Sequence, residues 1–238
     1  MRYFRNTAAA FSLALLLGGA AAWAENIDVR VETFSTYQSN FRGFEAKIVT
    51  PVVTGLALDG VQNKLNDSFR QMAGRLAADY EREVGEMLRD DPEFSGHLGV
   101  VLDYRIRTDN DKVLAIDLYE MNIAGSSSTK HSLYNFDKKS GKLIELSGLF
   151  NEKADYVKVI SDHISKEMRR QNKLGKGTFW LAPQEEEGFC AIKQGQNFFI
   201  NDRGNIVICF DKYEVAPGAA GSPEFEIPRK VVGPYLAK

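Results

Sequence analysis

From residue 26 to 54 apolar and polar positions alternate, with Ile27, Val29 and Val31 and then Phe44, Ala46 and Ile48 on one side, which predicts two half-buried strands. The period then changes. Val61, Leu65, Phe69, Met72, Leu76, Tyr80, Val84 and Met87 recur at steps of three and four, so a single long helix is predicted with this stripe as its buried face. Lys64, Asp67, Arg70, Arg75, Asp79, Glu81, Arg82 and Glu86 occupy its other faces. Asp59 followed by Gln62 reads as a capping box, and Asp90-Asp91-Pro92 ends the run.

Alternation returns at Leu98, Val100, Leu102, Tyr104 and Ile106, and the polar turn Thr108-Asp109-Asn110-Asp111-Lys112 joins it to an apolar run from Val113 to Ile123, a hairpin signal. After the small polar loop at 125–129, Lys130 to Asp137 reads as a further antiparallel strand. A second helix is predicted from about Asn151 to Asn172, with Asn151 as N-cap and Ala154, Val157, Ile160, Ile164 and Met168 as its stripe. The basic residues at its end, Lys166, Arg169, Arg170 and Lys173, suit the helix dipole without a ligand. Phe198 to Ile200 and Ile206 to Phe210 form a hairpin around Asn201-Asp202-Arg203-Gly204-Asn205, and Glu224 to Ile227 is a last strand. The order predicts an α+β protein of two similar halves, 25–125 and 126–238. Each is expected to be an antiparallel sheet packed against one long helix, the two sharing one interface or one sheet.

The first residues differ in kind. Met1 to Arg5 is a short positive start, Ala8 to Ala22 is apolar and small, and Ala22-Trp23-Ala24 is a small-x-small cleavage pattern. Residues 1–24 are therefore read as a signal peptide cut between Ala24 and Glu25, giving a secreted or periplasmic protein; an uncleaved leader acting as a tether is the alternative. The rest of the chain has no run of the roughly 18 apolar residues that spanning needs. Its 238 residues are 44% hydrophobic and 26% charged, an ordinary globular composition. Losing Arg2 and Arg5 with the leader moves the formal charge from −2 to −4, with both signs scattered, so nothing resembles a nucleic-acid footprint.

Cys190 and Cys209 both lie in apolar, strand-like runs, and in an oxidising compartment they are expected to pair; two separate buried thiols are the alternative. The bridge would close a loop of about 20 residues and contribute about 3 kcal/mol. His97, His131 and His163 stand in unrelated local settings, so neither a metal site nor any other cofactor is expected. The Asp109-Asn110-Asp111 turn lacks the glycine and terminal glutamate of a calcium loop. Ser126, Ser127 and Ser128 beside His131 lack an oxyanion signature, so a polar turn before a strand explains them better than a nucleophile does. The acidic clusters Asp90-Asp91, Asp109/Asp111 and Glu185-Glu186-Glu187 sit on predicted loops and read as solvated.

Two blocks carry a resemblance. Ser128-Thr129-Lys130-His131-Ser132-Leu133-Tyr134-Asn135-Phe136-Asp137, running on through Gly141-Lys142 to Leu149-Phe150, resembles the RsiV-like extracellular domain family, in which a His near the start of a strand leads to Asn-Phe-Asp, a Gly-Lys turn and a Leu-Phe that opens a helix. Phe210-Asp211-Lys212-Tyr213-Glu214-Val215-Ala216-Pro217-Gly218 through Gly221, with Phe225 to Pro228, is similar to the same family's closing strand and loop. The first half is compatible with the PdaC-like companion domain that precedes it in such proteins. The resemblance implies a cell-envelope domain that binds rather than reacts. Some relatives recognise lysozyme, and others accompany a separate catalytic domain, for which this chain leaves no room.

The leading expectation is an exported, non-enzymatic binding protein of the envelope, with lysozyme, another wall hydrolase or peptidoglycan as its partner. Lys212 to Ser222 is the expected contact segment, with Lys212, Tyr213, Pro217 and Gly218 as partner-binding residues and Tyr213 as an aromatic anchor. Tyr213 packing at a strand end, with the glycines serving only the turn, is the competing reading. A wall-directed hydrolase or deacetylase using His131 and a nearby carboxylate is the enzymatic alternative, which predicts a concave pocket where His131 meets other polar groups. A scaffold module holding envelope proteins together is the third, which predicts an exposed apolar patch and no pocket.

Overall fold

The computed structural model describes residues 28–94, 98–124, 126–183 and 188–237, so the expected cleavage point Ala24-Glu25 lies outside the described residues, as do His97 and Glu185 to Glu187. The chain runs β1 (Arg30–Phe41), β2 (Phe44–Thr54), α1 (Asp59–Asp90), β3 (Leu98–Asp109), β4 (Val113–Ala124), β5 (Ser126–Asp137) and β6 (Lys142–Ile144), then α2 (Tyr156–Lys173), β7 (Phe198–Ile200), β8 (Ile206–Cys209), β9 (Glu224–Ile227) and α3 (Arg229–Val232). The first six strands form one sheet in sequence order, and the last three form a second, antiparallel sheet.

In the large sheet β2 and β3 are parallel while every other neighbouring pair is antiparallel. Parallel neighbours need a crossover, and α1 supplies it. The helix buries Phe69, Ala73, Leu76 and Tyr80 against Phe44, Ala46, Ile48, Val100, Leu102, Leu114, Ile116, Leu118 and Phe136 of the sheet. Asn66, on the same helix face, uses its amide like a strand backbone: Oδ1 accepts from Val53 N and Nδ2 donates to Val53 O, both at 2.8 Å. Asp59 does not cap this helix. Its N-cap is Leu58, without a side-chain cap, and Gln62 Oε1 accepts from Leu56 N instead.

The small sheet packs with α2 in a second core built on Ile160, Ile164, Met168, Phe189, Ile206, Ile208, Phe210, Phe225 and Ile227. The expected helix stripe is therefore correct. Its start is not: α2 begins at Tyr156, Asp155 is the N-cap whose side chain accepts from Lys158 N, and Asn151 donates to Tyr235 O. Just before this stretch Phe150 forms a backbone bridge with Leu236.

The other face of the small sheet lies on the large one. Phe199, Val207 and Cys209 meet Val113 and Ala115 on the side of β4 away from α1. Two asparagines stitch β5 to β7 across this seam: Asn135 donates to Phe198 O and accepts from Ile200 N, each at 2.9 Å, while Asn197 donates to His131 O and accepts from Leu133 N.

Two sequence expectations are corrected here. The halves are not similar: one has six strands in a mixed sheet and a 32-residue helix, the other three short strands and an 18-residue helix. Strand β5, assigned from the sequence to the second half, pairs with β4 from Asp137↔Val113 to Ser126↔Ala124, so the expected boundary falls between two paired strands of one sheet. The cysteines are also unpaired, with Cys190 exposed and Cys209 buried. Phe189 and Phe210 meet edge to face in the second core, and alternation then turns their neighbours apart, Cys190 to solvent and Cys209 into the seam between the sheets.

Candidate functional site

Beyond the seam, the face of β3, β4 and β5 away from α1 becomes polar. Asp117 of β4 sits in the middle of the apolar run Val113 to Ile123, opposite Leu133 of β5, and is fully buried, yet three basic side chains converge on it. Arg105, its cross-strand partner on β3, donates from Nε and Nη2 to Oδ2 at 2.9 and 2.8 Å. Arg107 comes within 3.6 Å of the same oxygen, grips Glu224 of β9 in a bidentate pair at 2.7 Å, and lies 4.1 Å over the Phe199 ring. From β5, His131 Nδ1 meets Oδ1 at 2.9 Å and Oδ2 at 3.1 Å. Burial pushes the Asp117 carboxyl up, but hydrogen bonds from His131 and Arg105 outweigh it, and its pKa lies below the ordinary aspartate value.

The row continues outward. His131 Nε2 is 2.9 Å from Ser222 Oγ, so an ionised Asp117 favours the Nδ1–H tautomer and leaves Nε2 of the neutral ring to accept the serine hydroxyl. The His131 backbone N–H donates to Asp211 Oδ1 at 2.8 Å. Burial raises the Asp211 carboxyl while that N–H pulls it back down, and the net position is above the usual aspartate value. Residues 211 and 222 bracket the expected contact segment, so His131 holds both ends of this loop against the sheet.

The loop between them is closely tied. Lys212 N donates to Thr129 O, and its ammonium donates to Ser127 O at 2.5 Å and Ser127 Oγ at 2.9 Å. Glu214 accepts from Asp211 N and from Lys193 Nζ, and Val215 O accepts from Trp180 N. Val215 and Ala216 are buried, while Pro217 leads into a 3₁₀ turn at Gly218–Ala220. Tyr213 has a left-handed backbone, with φ of 70°, uncommon for a side chain of its size. Its ring covers Gly218 so closely that a Cβ there would fall 2.3 Å from the phenol, and the Lys212 ammonium stands 5.2 Å from the ring centroid. Even so, 45% of Tyr213 faces solvent. The Tyr213 ring is thus fixed by packing and also partly displayed to solvent.

The four expected binding residues share this one corner. The sequence reading missed Asp117, Arg105, Arg107 and Glu224, and named Ser222 only as the end of the contact segment; an acid inside an apolar run was the available signal, because such a group folds in only with partners. Among the described residues no cluster of histidine, cysteine and acidic side chains could hold a metal ion, and no helix is long and apolar enough to cross a membrane.

Residues 147–230 match the protein family of unknown function DUF3298. That match begins inside the first block singled out in the sequence and takes in the second. The anti-sigma-V factor RsiV of Bacillus subtilis is 32% identical over 190 residues, 79% of this chain and 64% of RsiV, so the chain spans less than two thirds of that relative's length. An alignment of that extent reaches well into the large sheet. DUF3298 proteins of known structure from Bacteroides fragilis and Pseudomonas aeruginosa share the fold, with TM-scores of 0.63 and 0.59 at 12% and 15% identity. The first alignment covers 90% of this chain and 96% of that one, and the second 89% and 96%.

Proposed function

We propose that this chain is an exported, non-enzymatic binding protein of the bacterial envelope that recognises a protein partner through the corner formed by Lys212, Tyr213, Pro217 and Gly218. Lysozyme is the first partner to test, followed by other wall hydrolases and by peptidoglycan. The observation that carries this reading is the displayed Tyr213 ring on a loop tied down at both ends, since an aromatic held in place before contact loses little entropy on binding. Likeness to an anti-sigma factor supports a role in protein contact. Tyr213→Ala and Pro217→Ala are expected to weaken binding of lysozyme or wall fragments about tenfold or more, as hot-spot removal does, while the melting temperature holds. Unchanged affinity in both variants would remove the site assignment.

The Ser222–His131–Asp117 row favours a second, hydrolytic reading, because a hydroxyl, an imidazole and a buried carboxylate at 2.9 Å spacings are the parts of an activated nucleophile. Against it, Asp117 is shared with two arginines, and the groove beside the loop is lined by Ala219, Ala220, Pro223 and Glu224 rather than by Ser222. Turnover of an acetylated or glycosidic wall substrate that disappears in Ser222→Ala or His131→Ala would replace the binding reading with this one.

A further inference from the structure

Strand β1 is one outer edge of the large sheet, and it is built unlike the other edges. Strand β6 at the opposite side has three residues, and the edge strands β7 and β9 of the small sheet have three and four, whereas β1 has twelve. Short strands, prolines, lysines and bulges are the usual means of keeping an edge from pairing with another chain. From Thr33 to Phe41 the strand has no charge and no proline, and its one such device is the bulge between Thr33 and Ser35. Its outer backbone groups extend over about 40 Å at 3.4 Å per residue.

Two large apolar side chains mark this edge. Phe34 and Phe41 are 57% and 54% exposed. Both lie on the α1 side of the sheet: the Arg70 guanidinium of α1 stands over the Phe34 ring, and Phe41 pairs with Phe44, which is buried beneath the helix. The bulge makes this possible, because a separation of seven residues would otherwise put them on opposite faces.

We propose that β1 pairs antiparallel with β1 of a second copy of this chain, joining two six-stranded sheets into one. A two-fold axis normal to the sheet through Tyr37 sets Ser35 against Ser39 of the other copy and brings each Phe41 to the other's Thr33–Phe34 bulge, so both exposed phenylalanines are covered. The interface is isologous, and the absence of charge from Thr33 to Phe41 means that self-pairing opposes no like charges. The same axis sets Thr36 opposite Gln38, both exposed and on the face away from α1.

That register dictates the experiment. The purified protein is expected to have twice the chain mass by light scattering. Thr36→Lys with Gln38→Lys places lysine opposite lysine twice, and should weaken self-association about tenfold or more while the circular dichroism spectrum of the folded chain is unchanged. Mixing it with the Thr36→Glu, Gln38→Glu protein should restore a mixed dimer. Phe41→Asp charges the same edge at another exposed position and carries the test if the double variant does not fold. A wild-type protein that stays monomeric at about 100 μM, or a dimer indifferent to all these substitutions, would overturn the proposal. Either outcome is independent of what the Tyr213 corner binds.

Discussion

Asp117 shows what a single buried charge requires. It keeps its carboxylate out of water only because Arg105, Arg107 and His131 converge on it, and removing it leaves those groups facing one another. Asp117→Ala is therefore expected to cost about 3–5 kcal/mol of stability at neutral pH, as breaking a buried ion pair does, which urea unfolding measures. The pH dependence has a definite sign. Its folded pKa lies below the unfolded value of about 3.9, so its contribution is fully present above that value and is lost as the pH falls through the folded pKa. The deficit of the variant should shrink as unfolding is repeated at pH values below about 4.

At the scale of elements, alternation decides the chemistry of the cysteines. Cys209 faces Val113 and Ala115 between the two sheets, where burial raises its thiol far above the ordinary range, while Cys190 faces solvent. A thiol reagent at neutral pH is expected to modify one cysteine in the native protein, identified as Cys190 by peptide mass, and a second only after denaturant is added. A protein with no reactive thiol in denaturant would restore the disulfide. The apolar stripes of both helices were legible in the sequence because a helix repeats its own buried face locally, although Met87, in the last turn of the α1 stripe, lies exposed beyond the sheet it would pack on. The start of α2 was not, because Asn151 and Asp155 are both good caps and the contact that chooses between them is made by Tyr235, far along the chain.

At the scale of the molecule, the two cores cooperate through the seam carried by Asn135, Asn197 and the Val113–Cys209 contacts. Asn135 is fully buried, so Asn135→Ala strands Phe198 O and Ile200 N and should cost about 1–3 kcal/mol. The wild type is expected to unfold in one transition by circular dichroism and tryptophan fluorescence together, and the variant to separate the two signals. By itself the sequence determined the long strands, both long helices and which of their faces are apolar, because those are periodicities of neighbouring residues, whereas the short β6 and α3 carry too few residues to show a period. It also marked Lys212 to Ser222 as the segment to test for partner contact. Only the tertiary structure decided that β2 and β3 run parallel, that β5 belongs to the first sheet, that the cysteines stand apart, and that Asp117, His131 and Ser222 form one row. Those facts depend on register and on the placing of one sheet against another, and His131 and Ser222 are brought together by packing across 91 positions of chain that no local pattern spans.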